Sequence, residues 1–425
     1  MQVAGIMLLG TDTRLTPQRV CDALAQRVGN VPRLRQRLMR TPFGAGRPVW
    51  VDDPDFDIRR HVDVVPCPAP GDARALLSIA ARRVVSPLPA DRPLWSATVV
   101  SHLAEDTVGL VLVLHHALAD GIGGLAVLGA LADGAPMVPA TAMPSPGAMP
   151  RMAVLYADAF RSRFRAIGRI PDTIRRVRAA LAELRGDAVR TAPTTSLNRP
   201  IGARRELAVV REDLASVRNI AHAHDATVND VVLTAVVGAL HTLLRRRRET
   251  VDRIVVSIPV SSRKTTAPER LGNQVGVIPV SLPVIADPLA RLRAIADITR
   301  RRKTSSPGSS IALMAPAFRL LASVGLFRWF ISRQRLINTF VTNLRGPESS
   351  LAILDDPITD IVAVPVITGN VTIAFAVLSY AGTVTVTIIA DPVRCPDLDF
   401  LTEELREELD ALTRQVSSAD HGGRL

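Results

Sequence analysis

Apolar and polar positions along this chain follow two rhythms. Gln2 to Leu9 (QVAGIMLL) and Val108 to Leu114 (VGLVLVL) are short apolar runs without helical spacing, which predicts buried strands. Between them, Thr16 followed by Pro17 offers an N-cap and a proline at the first helical position, predicting a helix to about Val28. A second helix is predicted over roughly Asp72 to Val85. Trp95 to Leu103 and Val108 to His115 then read as a hairpin turned at Ala104-Glu105-Asp106-Thr107. Ala135 to Pro150 (APMVPATAMPSPGAMP) has the composition of a linker.

Beyond the linker, Arg151 to Arg190 holds ten arginines against four acids. Leu155, Phe160, Phe164, Ile167, Ile174, Val177 and Leu181 recur there at helical spacing. This predicts a basic amphipathic helix pair, either lying on a membrane or presenting a solvated arginine face over an ordinary core. A strand (Arg205 to Val210) and a helix (Glu212 to His224) follow, and Thr227-Val228-Asn229-Asp230 is a capping box opening a helix over Val231 to Leu244. Strands are predicted at Ile254 to Val260 and Val275 to Leu282, and helices near Leu289 to Arg302 and Ile311 to Arg333. Four further strands fall between Asn338 and Ile389, the last pair turning at Ala381-Gly382, and a closing helix covers Leu398 to Val416. Both halves mix strands and helices, so the class is α/β (α+β). The expected division is a first domain over 1–134, a linker and basic helical segment over 135–197, and a second domain over 198–425.

Composition narrows the partners. With 425 residues, 47% of them hydrophobic, the chain can bury a large core. Ile311 to Phe330 carries Pro316, Arg319 and Arg328, and Ile361 to Ala390 is interrupted by Pro365, Gly369, Asn370 and Gly382, so no membrane span is expected. Met1 to Gly10 lacks the basic start and cleavage site of a signal peptide. Cys21, Cys67 and Cys395 are too scattered for a disulfide framework or metal cluster, which suits a reducing compartment. The net charge of +12 comes almost wholly from arginine, since Lys264 and Lys303 are the only lysines. Such a charge attracts acidic lipid headgroups or coenzyme phosphates. Nucleic acid is a poor candidate, because aromatics are 4% of residues and no binding motif for it occurs.

The candidate chemistry lies in Leu114-His115-His116-Ala117-Leu118-Ala119-Asp120-Gly121, which puts two histidines at the end of an apolar strand and an Asp-Gly beyond. Adjacent strand residues point to opposite faces, so only one histidine can serve a given cavity as a base. Neighbouring histidines on a strand are poor ligands for one ion, and no Cys or Glu stands at ligand spacing, so no metal is expected. Gly121-Ile122-Gly123-Gly124-Leu125-Ala126 also fits a dinucleotide-binding pattern. That pattern wants an acid about twenty residues on, where Met137 to Pro150 has none. No G-x-S-x-G occurs either, which leaves a serine hydrolase without its nucleophile elbow.

The form HHxxxDG resembles the active-site motif of the coenzyme A-dependent acyltransferase superfamily, and the chain as a whole resembles the bacterial wax ester synthase/diacylglycerol acyltransferase family. Asp91-Arg92-Pro93-Leu94-Trp95 is similar to the family's PLW element, and Val51 to Asp57 with His61 to the segment before it. Asn229-Asp230 matches the ND element. Ile258 to Arg263 and Leu271-Gly272-Asn273 look like the next blocks, and Thr342 to Pro347 resembles N-x-x-G-P. Leu344-Arg345 replaces the more usual Val-Pro there, which is expected to set a charge near the domain junction. The family usually has a segment ahead of the strand equivalent to Gln2 to Leu9, whereas this sequence starts at the strand, so the expectation is either a misassigned start or an acceptor entrance that lacks a part.

The resemblance implies two chloramphenicol-acetyltransferase-like domains, each a mixed sheet flanked by helices, with a tunnel between them. It implies transfer of a fatty acyl group from acyl-coenzyme A, as substrate, to the hydroxyl of diacylglycerol or a long-chain alcohol, with no permanently bound cofactor. His116 is then the general base and His115 a packing or orienting residue. Asp120 and Gly121 are structural, and Arg35, in Pro32-Arg33-Leu34-Arg35, is similar to a condensation-domain arginine that partners the motif aspartate. Pro93, Leu94, Trp95, Asn229, Asp230 and Asn343 are motif or substrate-binding positions, with Asn229 and Asn343 as candidate oxyanion donors. The implied partners are acyl-coenzyme A, its acceptor and an anionic membrane or lipid-droplet surface. The implied location is the cytoplasm, at the inner face of the membrane or on lipid bodies. Two alternatives stay open: another acceptor, such as a polyketide or amine, and a non-catalytic lipid-binding paralogue.

Overall fold

In chain order the first half forms β1 (Gln2–Leu9), α1 (Pro17–Arg27), β2 (Gln36–Met39), β3 (Val49–Asp52), β4 (Val62–Pro66), α2 (Ala73–Val85), β5 (Trp95–Ser101), β6 (Val108–His115) and α3 (Gly121–Leu131). Next come α4 (Met152–Gly168), β7 (Glu206–Asp213), α5 (Leu214–Ala223), α6 (Val228–Arg246), β8 (Arg253–Ser261), β9 (Val275–Pro283), α7 (Pro288–Thr304) and α8 (Phe327–Ile331). The chain closes with β10 (Thr339–Arg345), β11 (Ala352–Ile353), β12 (Asp356–Val364), β13 (Ile373–Tyr380), β14 (Thr383–Ala390) and α9 (Leu398–Gly422). This computed structural model describes residues 1–10, 15–104, 107–134, 149–168, 191–261, 275–304 and 325–422.

Local chemistry explains most boundaries. The Thr16 side chain accepts the Arg19 N–H ahead of Pro17 and starts α1, and Asp72 does the same for α2 through the Ala75 N–H. The helix expected from Glu212 starts later: β7 runs to Asp213, whose carboxylate accepts the Ser216 N–H and Oγ–H and caps α5. Most of the helix expected over Ile311 to Arg333, and the second half of the basic stretch after α4, lie outside the described residues.

Among the described residues the strands form two six-stranded mixed sheets and a two-stranded β2-β3 ribbon. The first sheet has the order β11-β12-β1-β6-β5-β4 and the second β7-β14-β13-β10-β8-β9. A contiguous division at residue 198 therefore does not separate the sheets, because β11 and β12 cross back to extend the first. There β12 pairs antiparallel with β1, Ala4 opposite Val364 through Leu8 opposite Asp360. Tertiary pairing decides this, since the local pattern of β12 is equally good for either sheet.

Helix α6 forms the centre of the second half. Among the described helices it alone is long and apolar enough to cross a bilayer, yet 72% of its apolar window is buried. It packs against α5, α7 and α9 over the second sheet, which makes it a core helix.

Candidate active site

The pleat of β6 sorts its residues into two sets. Val111 and Val113 enter the core under α2, whereas Leu112, Leu114 and His116 line a cavity of about 510 Å³ between the two sheets. His116 thus continues the cavity-facing parity one residue past the strand. Its backbone N–H donates to the Met1 carbonyl at 2.9 Å, and its Nδ1 is buried without a hydrogen-bond partner among the described residues. His115 takes the other direction. Its Nδ1 accepts the Ala117 N–H at 3.1 Å, and its Nε2 lies 3.3 Å from the Met1 amino group. Burial, helped by the N-terminal ammonium and by His116, pushes the His115 imidazole down to about 4. A group with that affinity is neutral near pH 7 and a weak base.

Past the histidines the chain turns into α3. Asp120 is fully buried, and its Oδ1 accepts the Gly123 N–H at 2.8 Å, capping the helix. Gly121 lets the second sheet approach: a Cβ there would lie 2.8 Å from the Leu344 side chain of β10. Gly121, the first glycine of the dinucleotide-like run, therefore serves close packing. The strands flanking β6, which are β1 and β5, both run antiparallel to it, so the parallel βαβ unit that such a pattern needs is not built here.

The Pro93-Leu94-Trp95 element sits behind β6, buried and away from the cavity lining. The Leu94 carbonyl accepts the His115 N–H at 2.9 Å, and the Trp95 indole N–H donates to the Leu34 carbonyl at 2.7 Å. The Trp95 ring stacks on buried His61 with centroids 4.6 Å apart, and Phe56 covers the other face of His61 at 5.4 Å. Burial lowers the proton affinity of His61, which is held as a packing residue by its Nδ1 contact to the Trp95 carbonyl at 3.0 Å. Arg35 ends the 3₁₀ turn Pro32–Arg35, with its guanidinium carbon 6.0 Å from the Phe56 ring. These contacts fix the end of β6 and so the heading of His116.

From the second half, Phe340, Thr342 and Leu344 share the cavity face of β10, and Asn343 also lines the cavity. The Asn343 Nδ2 donates to the Asn229 Oδ1 at 3.2 Å, so the two candidate donors are paired with each other. Asp230 is committed elsewhere. Its Oδ2 accepts the Thr227 N–H and Oγ–H at 2.8 and 2.7 Å, and its Oδ1 accepts the Thr299 hydroxyl at 2.7 Å. The expected charge at the junction does not materialise: Arg345 points to solvent and pairs with Glu348 at 2.7 Å, leaving Leu344 against Gly121. Ser257 and Thr368 add polar groups to the cavity that sequence reading missed. Ser257 is one hydroxyl among many along the strands and Thr368 lies in the loop after β12, so only the fold shows that both face inward. Ser262, Arg263 and Leu271-Gly272-Asn273 lie outside the described residues.

The described residues thus form two facing mixed sheets with His116 and Asn343 on the wall of the cavity between them, a two-sheet architecture that can be compared with known proteins. The wax ester synthase/diacylglycerol acyltransferase catalytic domain is matched by residues 1–232, and the corresponding C-terminal domain by residues 271–413. The chain is 31% identical over 383 residues to the "Probable diacylglycerol O-acyltransferase tgs1" of Mycobacterium tuberculosis, covering 87% of this chain and 82% of that one. Among solved structures it resembles a wax ester synthase/diacylglycerol acyltransferase from Marinobacter aquaeolei, with a TM-score of 0.72 at 21% identity, covering 98% and 95% of the two chains. It also resembles the first condensation domain of the calcium-dependent antibiotic synthetase, with a TM-score of 0.63 at 17% identity over 97% and 91%. The chain belongs to the wax ester synthase/diacylglycerol acyltransferase family and is an O-acyltransferase.

Proposed function

We propose that this chain transfers a fatty acyl group from acyl-coenzyme A to the hydroxyl of diacylglycerol or a long-chain alcohol, with His116 as general base. The observation that carries the reading is the His116 ring on the wall of a largely apolar cavity between the two sheets, with a buried nitrogen that has no hydrogen-bond partner among the described residues. The acceptor hydroxyl gives its proton to the imidazole as its oxygen attacks the thioester carbonyl. The tetrahedral intermediate then collapses, the C–S bond breaks, and the imidazolium returns the proton to the leaving sulfur. Such a base contributes roughly 10²–10⁴-fold. Asn343 is the better candidate for the oxyanion donor, because it lines the cavity while Asn229 holds it. Asn229 is then a positioning residue. The reaction needs no bound cofactor, and both substrates occupy the cavity together.

Fully buried Asp120 supports a second proposal, that its carboxylate is compensated by Arg35. A double-mutant cycle in which Asp120→Asn and Arg35→Met prove additive removes it. We also propose that the protein works at the cytoplasmic membrane face or on lipid bodies, where its acceptor resides.

The reaction is tested with palmitoyl-coenzyme A and hexadecanol or diacylglycerol. Free coenzyme A is expected only when acceptor is present, apart from slow hydrolysis, with sequential kinetics. A burst of coenzyme A stoichiometric with enzyme and independent of acceptor would require a covalent nucleophile and overturns the reading. A polyketide or amine turned over faster than either lipid acceptor moves the assignment to the alternative.

A further inference from the structure

Helix α4 turns its apolar side away from the protein. Of residues 151–165 only Leu155 and Ala159 are buried. These two, one turn apart, seat the helix on the loop 41–47. There Ala159 meets Gly46, and the Tyr156 hydroxyl donates to the Phe43 carbonyl at 3.4 Å. With 3.6 residues per turn, Ala153, Ala157, Phe160 and Phe164 fall on the opposite side as a stripe at i, i+4, i+7 and i+11. Phe160 and Phe164 are 61% and 60% exposed, their rings 4.8 Å apart. Fully exposed Phe43 and exposed Tyr156 extend the patch. An ordinary surface helix buries its apolar stripe and solvates its charges; this one presents both outward.

The charges around the stripe select a partner. Arg161 and Arg165 flank it on one side and Arg163 on the other, all exposed, and exposed Arg40 and Arg47 border Phe43 on its loop. Residues 151–165 carry four arginines and one acid, Asp158. A second copy of the chain would bring these cations against one another. An anionic bilayer instead takes the aromatic rings at the headgroup and acyl boundary and the guanidiniums at its phosphates.

We propose that α4 and the Phe43 loop form an interfacial anchor that seats the enzyme on an anionic phospholipid bilayer. The proposal deepens the reading that the acceptor is a lipid, and rests on it. The test is flotation of the full chain with vesicles of equimolar phosphatidylcholine and phosphatidylglycerol, and with phosphatidylcholine alone. The parent is expected to bind the anionic vesicles and to be released by salt. The triple variant Phe43→Ser, Phe160→Ser, Phe164→Ser is expected to bind at least tenfold more weakly. It should melt like the parent and turn over hexanoyl-coenzyme A and butanol at the parent rate. The variant Arg161→Gln, Arg163→Gln, Arg165→Gln is expected to lose about 100-fold at low salt. If the parent binds and the phenylalanine variant binds equally well, the anchor is overturned while the acyltransferase reading stands. Equal parent binding to neutral vesicles overturns the anionic selectivity. A parent dimer that the phenylalanine variant dissolves gives the face to a second copy. A parent that binds no vesicle overturns both the anchor and the membrane location.

Discussion

One step along the β6 pleat turns His116 into the cavity and His115 toward the N-terminal strand, so substitution at the two positions should act on different quantities. His116→Ala is expected to lower turnover by at least about 10²-fold with little change in melting, because the ring lines a cavity. His115→Ala should act mainly through stability, since its ring accepts the Ala117 N–H that shapes the turn. Equal loss of chemistry with unchanged melting in both variants would sink this division. The same residue sets a pH dependence. His115 is held near 4 in the fold against 6.5 when unfolded, so an unfolded chain takes up a proton that the native state refuses. Its contribution to stability is present above pH 6.5 and is lost progressively as pH falls toward 4. His61 and His241, both lowered chiefly by burial, act in the same direction. Thermal melts across that window should show the parent losing stability more steeply than His115→Ala, and parallel curves would refute the assignment.

At the scale of elements, Asp230 joins two helices rather than touching substrate. It closes the capping box of α6 and accepts the Thr299 hydroxyl from α7 while almost wholly buried. Asp230→Ala should therefore destabilise by about 2–3 kcal/mol, the sum of a lost cap and buried donors left unsatisfied. Denaturant unfolding measures this, and a loss of activity at full stability would return Asp230 to the chemistry. This capping box was legible in Thr227-Val228-Asn229-Asp230 because its partners are three residues apart. So were the Thr16-Pro17 start of α1 and the β5-β6 hairpin, whose signals are equally local. The heading of His116 was legible in part, since the two-residue pleat says that the histidines diverge but not which one meets the cavity. The Asn343 to Asn229 contact joins residues 114 positions apart and left no trace in spacing. Arg345 reads as a charge at the junction by position alone. As the last residue of β10 it lies past the cavity, exposed and paired with Glu348, a placement that only the folded chain reveals.

At the scale of the molecule, the return of β11 and β12 to the first sheet makes the two halves interdependent. Met1, just ahead of β1, offers the carbonyl that receives the His116 N–H, and the edge of β1 away from β6 is covered by β12 from Ile358 to Val364. Asp133, after α3, accepts the Leu354 and Asp355 N–H groups at 3.1 and 2.7 Å and pairs with Arg27, which ties α1 to the β11-β12 turn. Residues 1–197 expressed alone would expose β1 as a long apolar edge beside an uncovered face of Leu9, Leu110 and Leu112, side chains now buried near Ile358 and Ile361. An unpaired apolar edge of that kind recruits other chains. The fragment is therefore expected to aggregate or to lack a cooperative melt. Co-expression with residues 198–425 should restore a soluble complex whose coenzyme A release still depends on His116. A monomeric, cooperatively melting 1–197 fragment would show that the first sheet closes without its borrowed strands. The crossover would then be a connection between two self-sufficient domains rather than a structural requirement of the cavity they share.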